Sequence, residues 1–98
     1  MTDQPTGARW HTFIGQWDDD ANEPDDWTFD EATHETWREA RQWMLGHLAK
    51  FADDECAACR QDGVQALVHL ATSRERLWSA EIDGDDYLIR YARTANHG

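Results

Sequence analysis

Cys56-Ala57-Ala58-Cys59 is the one motif in this chain with a recognisable chemistry. Two cysteines at this spacing can ligate a soft metal or work as a redox pair. A structural zinc site needs four ligands, and a single CxxC supplies two. His47 is the best third ligand, because an antiparallel helix pair would bring it towards the cysteines, and Asp53 or Asp54 could complete the set. The simpler reading is free thiols. Cys56 and Cys59 share a helical stripe with Leu67 and Leu70, and free cysteine is among the most buried residue types. A helix N-terminus would lower a thiol pKa, but Asp53, Asp54 and Glu55 would raise it again. No Trp or Pro flanks the motif in the thioredoxin manner. The sequence therefore predicts two buried or partly buried free thiols, with no disulfide, no zinc and no cofactor. The alternative is a small zinc module at Cys56, Cys59 and His47.

The second candidate is a run of charge. Between Asp18 and Trp37 lie nine carboxylates and no Lys or Arg: Asp18, Asp19, Asp20, Glu23, Asp25, Asp26, Asp30, Glu31 and Glu35. Asp18, Asp20 and Asn22 have the start of an EF-hand loop. Glu23 then replaces the required Gly, and Phe29 replaces the closing Glu, so the match fails at both ends. Paired carboxylates this common do not mark a catalytic site. General acid–base work needs a group whose pKa burial has moved, and no residue declares itself as one. Thr72, Ser73 and Ser79 lack a nucleophile elbow, and no Gly-rich phosphate loop is present. The chain reads as a protein without enzymatic activity. Trp17, Trp27 and Trp37 interleave the acids. Carboxylates can steer a basic partner while an exposed aromatic ring anchors it, since Arg stacks on Trp. Asp18, Asp19, Asp20, Glu23, Asp25, Asp26, Trp27, Asp30 and Glu31 are the expected partner-binding residues.

The formal net charge of −11 in 98 residues narrows the partners. Direct binding to nucleic acid or anionic lipid would be repulsive. A basic or nucleic-acid-binding protein is the expected partner, and a homodimer through surplus Trp residues is a further option. Met1 to Arg9 has no apolar signal region, and no apolar stretch is long enough to span a membrane, so a reducing cytoplasm is the expected compartment.

These residues need elements to place them. Arg9–Trp17 alternates as a strand, after a leader over 1–8. Asp18–Asp26 reads as a loop. Phe29–Phe51 carries apolar residues at three- and four-residue steps, the period of an amphipathic helix. Thr28 and Glu31 have the spacing of a capping box. A second helix is expected over Glu55–Thr72. Leu77–Ile82 and Tyr87–Ala92 form a hairpin about Asp83-Gly84, in a register that sets Trp78 opposite Ile89 and Ala80 opposite Tyr87. The order is β-α-α-β-β: a small single-domain α+β fold over 9–93, with two helices on a three-stranded, mainly antiparallel sheet and a tail over 94–98. Trp37, Trp43, Met44, Leu48, Leu67, Leu70, Trp78 and Ile89 are the expected core. His34 is expected on an exposed helix flank, and His69 as a satisfied boundary histidine.

Eight Arg against one Lys, abundant Ala and Asp, and a CxxC-headed helix followed by a Trp-containing hairpin give the chain a wider likeness. Over its whole length it resembles the short, Trp- and Asp-rich accessory proteins of phages that infect high-GC actinobacteria. The resemblance implies no residue-level site. It implies a small non-enzymatic protein that binds and modulates a host factor, most sharply by inhibiting a nucleic-acid-binding protein. A nucleic-acid mimic is one form of this. A self-assembling structural protein is the remaining alternative.

Overall fold

Residues 9–92 are described by the computed structural model. The leader over 1–8 and the tail over 94–98 lie outside the described residues. The elements are β1 (Trp10–Asp18), β2 (Glu23–His34), α1 (Trp37–Ala49), a 3-10 turn (Lys50–Asp53), α2 (Ala57–Ala71), β3 (Trp78–Ile82) and β4 (Asp85–Tyr91). Two helices pack on an antiparallel sheet, so the α+β class is as expected. The sheet has four strands rather than three, in the order β2-β1-β4-β3.

The extra strand is the principal correction. Glu23–His34 is β2, where the sequence predicted a loop and the first two turns of a helix. The reason lies in β1. Phe13 and Ile14 point to opposite faces of the sheet and are both buried, so β1 is a central strand and needs a neighbour on each side. Backbone groups buried without partners are costly. Strand β4 satisfies one side, and β2 satisfies the other in the register Trp10↔His34, Thr12↔Ala32 and Ile14↔Asp30. The connection is a short turn. Asp18 accepts hydrogen bonds from the Asp20 and Ala21 amides at 3.0 and 3.2 Å, and Asn22 takes φ 55°. Gly15, at φ 155° beside the Trp27 carbonyl, marks a bulge where the β1–β2 register shifts.

Helix α1 starts eight residues later than expected because two Thr-x-x-Glu signatures, at Thr28 and Thr36, lie near its start. The second is used: Thr36 Oγ1 accepts from the Glu39 amide at 3.1 Å, and Glu39 reaches back to the Glu35 amide. Its buried stripe is Trp37, Ala40, Met44 and Leu48. On α2 the stripe is Gly63, Ala66 and Leu70. Gly63 is small for a reason, since a Cβ there would overlap the Phe51 side chain. The β3–β4 hairpin has the predicted register, with Trp78 opposite Ile89 and Ala80 opposite Tyr87. Asp83 and Gly84 both take positive φ in its turn, at 54° and 84°. Of the expected core, Trp37, Met44, Leu48, Leu70, Trp78 and Ile89 are buried, while Trp43 and Leu67 are half-buried against them. Among the described residues no helix is long and apolar enough to cross a membrane.

Candidate functional site

The expected partner-binding residues fall on one hairpin. Asp18 ends β1, Asp19 and Asp20 lie exposed in the turn, and Glu23, Asp25, Trp27, Asp30 and Glu31 lie along β2. The backbone of Asp26 belongs to the same strand. Because β2 is an edge strand, one side of its ladder faces away from the sheet. Edges are usually blunted by charged side chains, especially Lys, by Pro, by bulges or by a covering element. Here Pro24 interrupts only the beginning, and the rest carries acids and no Lys or Arg.

The acids do not form one flat patch. Strand alternation sends Asp30 towards α1, where its Oδ2 lies 3.2 Å from His47 Nε2. Glu31 points to the open face, with Oε1 3.0 Å from His11 Nε2. Asp19, Asp20, Glu23 and Asp25 carry no ion pair among the described residues. Arg41 and Arg60 hydrogen-bond backbone carbonyls, Arg76 meets the His69 ring, and Arg90 reaches the β1–β2 turn, where it donates to Asn22 Oδ1 at 2.8 Å.

The three tryptophans of this region have different fates. Trp37 is core. Trp17 is already stacked, with the Arg90 guanidinium 4.5 Å from its ring centroid. Trp27 remains 41% exposed. Its companion is Phe29, 64% exposed and 5.9 Å away between ring centroids. Phe29 was missed by the sequence reading, which assigned it to a helical stripe. The signal was available in Trp27-Thr28-Phe29, two aromatics about a β-branched residue at strand spacing.

A polar clip holds β2 to α1. Trp43 lies between His34 and His47, with ring centroids 6.0 and 4.2 Å away. His34 is half-buried on β2 rather than exposed on a helix, and its Nε2 is 3.0 Å from Thr12 Oγ1. Burial lowers the pKa of both histidines; Glu39 opposes this at His34 and Asp30 at His47. His69 is satisfied as expected, its Nδ1 accepting from Trp78 Nε1 at 3.0 Å.

The thiols sit elsewhere than the buried stripe. Cys56 is exposed, Cys59 is half-buried, and both are free. The helix begins one residue after Cys56, so Cys56 is the N-cap and its Sγ accepts from the Cys59 amide at 3.2 Å. A hydrogen bond between the two thiols, and then the Cys59 amide, holds the Cys56 thiol below its usual range; the thiol contact, with burial and Asp83 adding to it, pushes Cys59 up to about 12. The Cys56 amide donates to Asp54 Oδ1 at 2.7 Å. Ligand atoms of Asp54, Cys56 and Cys59 all lie within 4.8 Å of one another. His47 does not join them; it is turned to Asp30, although it lines the same cleft as Asp54, Phe29 and Phe51. Comparison with protein-family models, curated proteins and solved structures finds no match for this chain.

Proposed function

We propose that this chain is a non-enzymatic binding module that captures a basic segment of another protein along β2. One observation carries the reading. A strand that is a sheet edge among the described residues presents carboxylates, no Lys or Arg, and the exposed pair Trp27 and Phe29. An extended peptide added to such an edge gains main-chain hydrogen bonds, and its side chains select the partner. Arg or Lys at alternate positions would meet Glu23 and Asp25, and an Arg plane can stack on Trp27. The partner class is a basic, nucleic-acid-binding protein of a host, which the module would inhibit by occupying its basic segment. Nucleic acid itself is disfavoured by a net charge of −11. Self-assembly through β2 would set acid against acid, which charge repulsion opposes.

The test uses the full chain and two synthetic peptides, one alternating Arg with Thr and one in which each Thr is replaced by Pro. The alternating peptide should bind with a salt-dependent on-rate, and the Pro peptide should bind at least tenfold more weakly. The variant with Asp19, Asp20 and Asp25 changed to Asn should associate more slowly. Trp27→Ala should dissociate faster. Equal binding of the two peptides would remove strand addition but keep the electrostatic reading. An unchanged on-rate in the Asn variant would remove both.

A further inference from the structure

We propose that Asp54, Cys56 and Cys59 form a binding site for one thiophilic divalent cation of the zinc class, whether or not β2 captures a peptide. Two sulfurs and a carboxylate are a zinc-type donor set, and three protein ligands with one open position are a known zinc arrangement. The ligand atoms already lie within 4.8 Å of one another. With Zn–S at about 2.3 Å and Zn–O at about 2.0–2.2 Å, a tetrahedral ion needs neighbouring ligands about 3.5–3.8 Å apart.

The backbone is held for it. The Cys59 amide donates to Cys56 Sγ, the Cys56 amide donates to Asp54 Oδ1, and Arg60 Nη1 donates to the Asp54 carbonyl at 2.6 Å. Such bonds fix the orientation of ligands around a metal. Cys56 is exposed, which gives an ion access from solvent. His47, the third ligand that sequence spacing suggests, is replaced by Asp54.

The experiment titrates the reduced full chain with Cd2+ and then Zn2+, following thiolate-to-metal charge-transfer absorption for Cd2+ and competition with a chromogenic chelator for both. One ion per chain is expected. Loss of a supporting outer partner lowers metal affinity by about 10–100-fold, so Cys56→Ser and Cys59→Ser should each weaken binding by about 100-fold or more. Asp54→Asn should weaken it by about tenfold or more. His47→Gln and the exposed-acid control Glu81→Gln should leave it unchanged. Far-UV circular dichroism checks that each variant is folded. An unchanged affinity in Asp54→Asn would reduce the site to a bare dithiol and overturn the assignment. A loss in His47→Gln equal to that in Asp54→Asn, or equal losses in Glu81→Gln and Cys56→Ser, would also overturn it.

Discussion

Gly46 and Gly63 both lie inside helices, and the same substitution should move stability in opposite directions at the two sites. At Gly46 an added methyl group would have no heavy atom within 4 Å. Only helix propensity changes there, so Gly46→Ala should stabilise by about 1 kcal/mol. At Gly63 the methyl group would overlap Cβ and Cγ of Phe51, the rigid root of that side chain rather than its tip. Overpacking costs about 1–3 kcal/mol. Subtracting about 1 kcal/mol of regained propensity, and taking the upper half of the overpacking range because the overlap is at the root, leaves a net loss of about 1–2 kcal/mol. In a domain of this size each kcal/mol moves Tm by about 4–8 °C. Thermal unfolding followed by circular dichroism should therefore show Gly46→Ala rising by about 4–8 °C and Gly63→Ala falling by about 4–16 °C. The cause is testable in a second background. With Phe51→Gly both overlapping atoms are gone, and Gly63→Ala should then raise Tm relative to Phe51→Gly alone. If Gly63→Ala lowers Tm equally in both backgrounds, the contact between the 3-10 turn and α2 is not what keeps position 63 a glycine.

Two further expectations concern the helix start and the buried histidines. Thr36→Ala removes the α1 cap and should cost about 1 kcal/mol in urea unfolding, whereas Thr28→Ala on β2 removes no cap; equal losses would return the helix start to Thr28. His34 and His47 both have lowered pKa values in the folded chain, chiefly through burial, with Asp30, Glu39, His11 and Lys50 as the charges acting on them. The unfolded chain then binds more protons near its ordinary imidazole pKa of about 6.5. The histidines' contribution is present above that value and lost as pH falls through the folded values. Tm should drop from about pH 7.5 to about pH 5.5, and it should drop less in the His34→Gln/His47→Gln variant; an equal drop in that variant would refute the assignment.

The β3–β4 hairpin was legible because two independent signals agree. Asp83-Gly84 supports positive φ at both positions, and Trp78, Ala80, Ile82, Tyr87 and Ile89 alternate to one face of the register that this turn sets. The stripe of α1 from Trp37 onward was legible for the same reason. Strand β2 was not. An edge strand with acids on both faces offers no hydrophobic alternation beyond Trp27-Thr28-Phe29, and Thr28 with Glu31 imitates a helix cap. What decides it is nonlocal: a neighbour for the second side of β1. The cysteines were misplaced by one step of the same kind. Cys56 has the spacing of the α2 stripe, but the helix begins after it, so its sulfur caps the helix end rather than joining the core.

Placement also divides the acidic run by role, which a count of charges cannot do. Asp18 is held in the β1–β2 turn by two amides. Asp30 and Glu31 each lie against a histidine, on opposite faces of the sheet. Glu35 precedes the cap of α1. Among the described side chains, the carboxylates left to act on a partner are Asp19, Asp20, Glu23 and Asp25, clustered at the turn and the first half of β2, with Trp27 and Phe29 following directly. Their influence in solution reaches about 8 Å at physiological ionic strength, roughly two residues along an extended strand. A basic segment would therefore be drawn first to the turn, and the aromatic pair would hold it as it extends along the edge. Charge and aromatic contact thus act at successive positions on one strand. This is why the Asn variant should slow association while Trp27→Ala hastens dissociation.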